Sequence, residues 1–235
     1  VSLFESEFYH SPDASNPLAV TALLAKCEIA AGIHAAQLNW SIDALQARGQ
    51  SWVLTRIFGE FPRQIAFGTG LALTTFPSKA DRFITCRDFI LEDAQEQLLG
   101  HLRTEWLILD LTTRKAVKLP DSIQSVIYQP LQPEPLLLGW DEPVFETETR
   151  EITISETDLD INRHVNNRRY IQWLLEGNTA APDFLPRYFD IRFKAEALLG
   201  DTIQVVTKRV EDDWFGQIRR PSDGSVMVEL KATFR

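Results

Sequence analysis

The sequence predicts an α+β fold built twice over, each half a helix with antiparallel strands after it. Three observations predict it. A helix-period stripe opens the chain and a second helical stretch lies past its middle. About four strand-like stretches follow each, and a proline-dense segment separates the two series. At 235 residues the chain is long enough for two ordinary cores. The halves share an order of elements and no visible residue identity.

The first helix opens at Asn16-Pro17, an N-cap followed by a proline where no amide hydrogen is needed. Val20, Leu23, Leu24, Cys27, Ala30, Ala31, His34 and Leu38 recur at helical spacing, and Gly49 offers a left-handed stop. Gly32 and its neighbouring alanines predict a close approach to a sheet. Strands are expected at Trp52–Ile57, Ile65–Thr75, Arg82–Leu91 and Thr104–Leu111, where β-branched and aromatic residues concentrate between Gly, Pro and Asp breaks. Pro130, Pro133, Pro135 and Pro143 then mark a linker. The expected division is an N-terminal domain over 1–127, a Pro-rich linker over 128–144 and a C-terminal domain over 145–235. In the second half, a strand at Phe145–Ile154 leads through a polar loop to a helix near Asn166–Glu176, closed by Gly177. Strands are expected at Asp190–Ala197, Thr202–Val210, Trp214–Arg219 and Val226–Phe234, the last two joined through a turn at Ser222-Asp223-Gly224.

Composition excludes several classes. Hydrophobic content of 44% and charged content of 24% are ordinary for a globular chain, and no apolar run is long enough to span a membrane. The opening residues lack the layout of a signal peptide; a removed transit peptide stays open, so the expected location is the cytoplasm, or the plastid stroma. The formal charge of −9 opposes general binding to nucleic acid or anionic membranes. From Ile161 to Lys194 the sign inverts: six basic residues against three acidic ones give a local +3. Cys27 and Cys86, the only cysteines, fall in apolar stretches and read as buried small hydrophobes, not a disulfide.

The chemistry concentrates between Ser155 and Tyr170, where Asp160, Asn162 and His164 alternate in the segment joining a strand to a helix. Asp158, Asp160 and Asn162 resemble the start of a calcium loop. Arg163 and Arg169 stand where such a loop needs Gly and Glu, which excludes it, and no metal or other cofactor is expected. Asn162 or Asn166 as a helix cap explains one Asn but not the alternation, and a solvated loop with a chance histidine remains open on residue types alone.

The run from Asp160 to Trp173 resembles the signature of the plant and bacterial acyl-acyl-carrier-protein thioesterases. Trp52–Arg56, Arg87–Phe89, Leu109–Arg114 with Leu119-Pro120, and Phe193–Ala197 resemble further landmarks of that family. The resemblance implies two tandem hotdog domains, each an antiparallel sheet wrapped around a long helix. It also implies hydrolysis of fatty acyl-carrier-protein thioesters, an acyl pocket in the first domain, and catalysis by Asp160, Asn162, His164 and Glu196. Plant members usually carry a cysteine after that glutamate. Ala197 stands there, so a Cys-His nucleophile is unavailable.

Glu196 has a plainer alternative, a solvated carboxylate neutralised by Lys194. Arg163, Arg168 and Arg169 flank the candidate site and would attract an acidic carrier protein, with Asn166 also on the substrate side. His34 reads as packing. The competing functions are an acyl-coenzyme A thioesterase and a non-catalytic acyl-binding module; a homodimer is left open.

Overall fold

The computed structural model describes residues 4–9, 19–63, 65, 70–128, 143–145, 149–160, 163–176 and 185–234. It divides into two compact units, one of Val1–Ser11 with Leu23–Leu136 and one of Pro12–Ala22 with Leu137–Arg235. The expected N-cap at Asn16-Pro17, Gly177 and most of the Pro-rich segment lie outside the described residues.

In the first unit the elements are β1 (Phe4–Tyr9), α1 (Ala19–Gln37) from Leu23 onward, its first four residues belonging to the second unit, α2 (Ile42–Gln46), β2 (Gln50–Glu60), β3 (Gly70–Ala80), β4 (Ile84–Glu92), β5 (Leu98–Asp110) and β6 (Ala116–Val117). Its strands are ordered β1-β3-β4-β5-β2, all neighbours antiparallel, with β6 paired to β5. β1 lacks a strong alternating pattern and was not among the expected strands. β3 runs on past the expected Thr75 because a register shift between Pro77 and Lys79 accommodates the proline, which cannot donate to a ladder.

α1 buries Val20, Leu23, Leu24, Cys27, Ala30 and His34 of the expected stripe, whereas Ala31 is half-buried and Leu38 lies past the helix end. It stops sooner than expected. Asn39 takes the left-handed conformation, the Trp40 amide donates to the Ala35 carbonyl and the Asn39 amide to that of Ala36. This double closure ends a helix, and asparagine tolerates it almost as well as glycine. Ser41 then caps α2, accepting from the Ala44 amide, and Gly49 follows that short helix instead. Gly32 lies on the exposed side of α1, where an added Cβ would meet nothing within 4 Å, so the expected close approach there is not made. Both cysteines are free and buried, and burial pushes the Cys86 thiol up to about 11.

A smaller apolar cluster of Leu45, Ile108, Leu119 and Ile123 packs with Trp40 and Trp52, whose indole donates to the Trp40 carbonyl at 2.9 Å. Beneath β4 and β5 lies an ionic group. Asp88, 1% exposed, accepts from the Ser78 hydroxyl and Arg103 Nε on one oxygen, and from Arg103 Nη2 on the other, where His101 Nε2 also lies at 2.9 Å. Every lone pair of the carboxylate is engaged, which is the condition for burying it.

The second unit contains β7 (Arg150–Thr153), α3 (Asn167–Leu175), β8 (Tyr188–Phe193), β9 (Thr202–Val210), β10 (Asp213–Arg219) and β11 (Val226–Thr233). Its sheet is ordered β8-β11-β10-β9-β7 and antiparallel throughout. α3 is short and buries Tyr170, Ile171, Trp173, Leu174 and Leu175. Its C-terminal end is pinned by the Trp214 indole, which donates to the Leu174 carbonyl at 2.9 Å. Gly216 lets that helix lie close, since a Cβ there would come within 2.8 Å of Leu174. The turn at Ser222-Asp223-Gly224 forms as expected, with Gly224 left-handed.

Candidate active site

The loop between β7 and α3 is folded by its own polar residues. Ser155 opens a single 3-10 turn, Glu156–Asp158, whose last residue reaches back: Asp158 accepts from the Ser155 amide at 2.9 Å and its hydroxyl at 2.7 Å. The other Asp158 oxygen takes Nε and Nη2 of Arg169 at 2.8 and 2.6 Å. Arg169 also donates to Gln172 at 2.6 Å and lies over the Trp173 ring. Burial raises the Asp158 carboxyl, but the Ser155 and Arg169 hydrogen bonds together outweigh it and hold the group below the usual carboxylate range. The beginning of α3 is thus locked to the beginning of the loop.

Inside this lock the chain doubles back. Leu159 and Val165 form a bridge, the Asn166 amide donates to the Asp158 carbonyl, and the Asp160 amide donates to the His164 carbonyl at 2.8 Å. The Arg163 amide closes a turn onto the Asp160 carbonyl, with Arg163 itself left-handed and exposed. One Asp160 carboxylate oxygen accepts from the His164 amide at 3.1 Å. The alternating spacing of acid and imidazole therefore marks a tight turn that brings the two residues side by side. Asn162 lies outside the described residues. Asn166 is the N-cap of α3, its side chain accepting from the Arg168 amide at 2.9 Å.

Glu196 comes from a separate segment. β8 ends at Phe193, earlier than the expected Ala197, because the amides of Lys194 and Ala195 converge on one carbonyl, that of Met227. Past this irregularity, Glu196 Oε1 lies 3.5 Å from His164 Nδ1, each side chain 36% exposed. Lys194 does not neutralise it. Its ammonium lies 2.5 Å from the buried Glu229, which Arg192 also approaches. Arg169, Arg192 and Lys194 are thus tied to neighbouring carboxylates.

A cavity of about 250 Å³ opens beside the loop, walled by Thr21, Thr157, Asp158, Asn166, Arg168 and Arg169 among others. Asp160, His164 and Glu196 are not among its lining residues. Among the described residues, no group of three or more His, Cys, Asp or Glu side chains is arranged to hold a metal ion. Sequence reasoning missed two contributors: Asp158, weighed only as a calcium ligand, and Tyr170, read only as part of the signature. Their partners, eleven residues away at Arg169 and 27 away at Ala197, lie outside their own helix or turn, so no period within one element relates them.

The model of the acyl-ACP thioesterase N-terminal domain matches residues 2–127 and that of the C-terminal domain matches residues 141–234. The chain belongs to the acyl-ACP thioesterase family. It is similar to the palmitoyl-acyl carrier protein thioesterase of Cuphea hookeriana, 26% identical over 134 residues, 53% of this chain and 32% of that protein. The oleoyl-acyl carrier protein thioesterase 2 of Arabidopsis thaliana is 28% identical over 138 residues, 53% of this chain and 38% of that one. The matched region spans about a third of these relatives' length. Among solved structures, the 12:0-ACP thioesterase of Umbellularia californica superposes with a TM-score of 0.83 at 16% identity, covering 100% of this chain and 98% of that one. An acyl-ACP thioesterase of Bacteroides thetaiotaomicron gives 0.77 at 24% identity, with 100% and 98% covered. These likenesses give the fold: tandem hotdogs.

Proposed function

We propose that the protein hydrolyses the thioester of fatty acyl-acyl carrier protein, releasing the free fatty acid. The observation that carries the reading is the juxtaposition of Asp160, His164 and Glu196 in a chain of this family, with Glu196 3.5 Å from His164 Nδ1. A carboxylate at Nδ1 orients the ring and leaves Nε2 to face substrate. Asp160 activates the attacking water or attacks the carbonyl carbon itself; the C–S bond then breaks, and His164 supplies the proton that the departing thiolate takes up; on the second route water then hydrolyses the Asp160 anhydride and frees the fatty acid. Asn162 is assigned, by the family resemblance alone, to orient the acid or steady the oxyanion. At the start of α3 the Arg168 and Arg169 amides already donate to Asn166, so the oxyanion is assigned to the Asn167 amide.

The acyl chain is assigned to the N-terminal domain, residues 1–127, and the catalytic residues to the C-terminal domain, residues 145–235, with 128–144 as the linker. Carrier protein itself is assigned to Arg163 and Arg168, basic residues that flank the site; the neighbouring Arg169 guanidinium holds Asp158 and Gln172. The reading puts the enzyme in the cytoplasm, or in the plastid stroma for a plastid-targeted protein. Among the described residues no helix is long and apolar enough to cross a membrane.

Matched acyl-carrier-protein and acyl-coenzyme A substrates, offered to wild type and Asp160→Asn, test the reading. It expects hydrolysis of the carrier-bound thioester at higher kcat/KM and its loss in the variant. Preference for the coenzyme A ester would move the assignment to the rival thioesterase class, and acyl binding without turnover would make the protein a binding module.

A further inference from the structure

Glu196 sits on a stretch that the sheet holds poorly. After Phe193 the regular ladder stops, and residues 194–198 are attached at separate points. The Ala195 amide donates to Met227, and the Leu198 amide to the Asp201 carboxylate at 2.8 Å. Between these two, the Ala197 amide donates to the hydroxyl of Tyr170 at 2.8 Å. Ala197 is fully buried, so its amide needs that acceptor.

Tyr170 is built as a fixed post. It lies on α3, six residues after His164, and is 2% exposed. Its ring meets Trp173 edge-on at 5.7 Å and rests against Phe193 at 6.4 Å. An aromatic side chain has two torsions, and packing on both sides leaves neither free. The helix that carries the post starts where the His164 turn ends, locked there by Asp158 and Arg169. Its hydroxyl grips the residue next to Glu196. Packing alone would be served by phenylalanine; the hydroxyl adds only the grip on Ala197.

We propose that Tyr170 is a positioning residue that sets the Glu196 carboxylate against His164 through the Ala197 amide. The activity arm of its test rests on the hydrolase reading, whereas the geometric arm does not. Burial pushes the Tyr170 phenol up to about 12, which keeps it a neutral acceptor across the working range of an enzyme.

Tyr170→Phe is compared with wild type in two backgrounds, native and Glu196→Gln, by kcat and KM on acyl-carrier protein, by hydrogen exchange at the Ala197 amide, and by the NMR signals of the His164 ring. The expected result is a kcat lowered roughly ten- to hundredfold with KM little changed, because displacement of a catalytic group by a fraction of an ångström to one ångström acts on the chemical step. In the Glu196→Gln background the second substitution adds nothing. Ala197 exchanges faster, and the His164 ring signals move only where Glu196 is present. Equal loss in both backgrounds, or an unchanged kcat beside faster exchange, overturns the proposal and leaves Tyr170 a packing residue. If wild type hydrolyses nothing, the ring signals still decide: movement that depends on Glu196 supports the proposal, and no movement refutes it.

Discussion

Lys194 could serve either of two carboxylates, Glu196 or Glu229, and burial decides between them. Lys194 is two residues from Glu196 in sequence, but its ammonium goes to Glu229, which is 2% exposed and would otherwise be a buried anion. A buried carboxylate loses far more without a cation than an exposed one does, so the lysine is drawn to it. Glu196 instead lies 3.5 Å from the imidazole of His164. Kinetics of single variants test this division. Asp160→Asn and His164→Ala should each lower kcat by about 10²–10⁴-fold, the range for removing a general acid or base. Lys194→Ala should leave kcat near the wild-type value while lowering the denaturation midpoint; a collapse of kcat in that variant would return Glu196 to the lysine.

At the scale of elements, helices and strands are tied together by buried polar groups whose charge depends on pH. On α1, His34 lies 3.1 Å from Arg87 Nη1 of β4 and stacks on Phe4 of β1. Burial first, and then the Arg87 charge, press the imidazole down to about 4. The folded state therefore keeps His34 neutral where the unfolded chain would protonate it. Its contribution is whole above pH 6.5 and drains away as pH falls from there toward 4. Asp88 behaves as a depressed acid: burial raises its carboxyl, but the His101 and Arg103 hydrogen bonds prevail and hold it low. That stability is whole above the ordinary carboxylate range near 4 and is lost below it. Urea midpoints should decline gently from pH 6.5 to 4 and steeply below. His34→Gln should flatten the first segment alone, and a profile identical to wild type would remove His34 as its source. Asp88→Asn should cost about 3–5 kcal/mol at pH 7, since it strands a buried arginine.

For the whole molecule, net charge and local charge oppose each other. A chain of −9 repels an acidic carrier protein at long range, and only a local basic surface can reverse that on approach. Arg169, Arg192 and Lys194 spend their charge on neighbouring carboxylates. The exposed Arg163 and the half-buried Arg168 carry the proposed attraction. The double substitution Arg163→Glu/Arg168→Glu should lower kcat/KM for acyl-carrier protein about tenfold at low salt, and less as salt screens the field. It should spare a small acyl thioester that carries no protein. Equal losses on both substrates would mean that the arginines support the site's structure and do not recruit the carrier.

The sequence by itself determined the repeated helix-and-strands plan and most element positions, and it singled out the segment proposed to bear the chemistry. Those rest on local periodicity and on a motif in contiguous residues. β9 spans Thr202–Val210 as expected, and α3 falls within one residue of its expected start. The tertiary structure alone decided where α1 stops, since Asn39 closes the helix by hydrogen bonds that no stripe of apolar residues encodes. It alone decided that Glu196 faces His164, because strand alternation stops predicting direction once two amides share the Met227 carbonyl. It also gave Asp158 to Arg169 and Ala197 to Tyr170. Periodicity reports which face a residue takes, whereas a partner eleven or 27 residues away is chosen only when the chain has folded back.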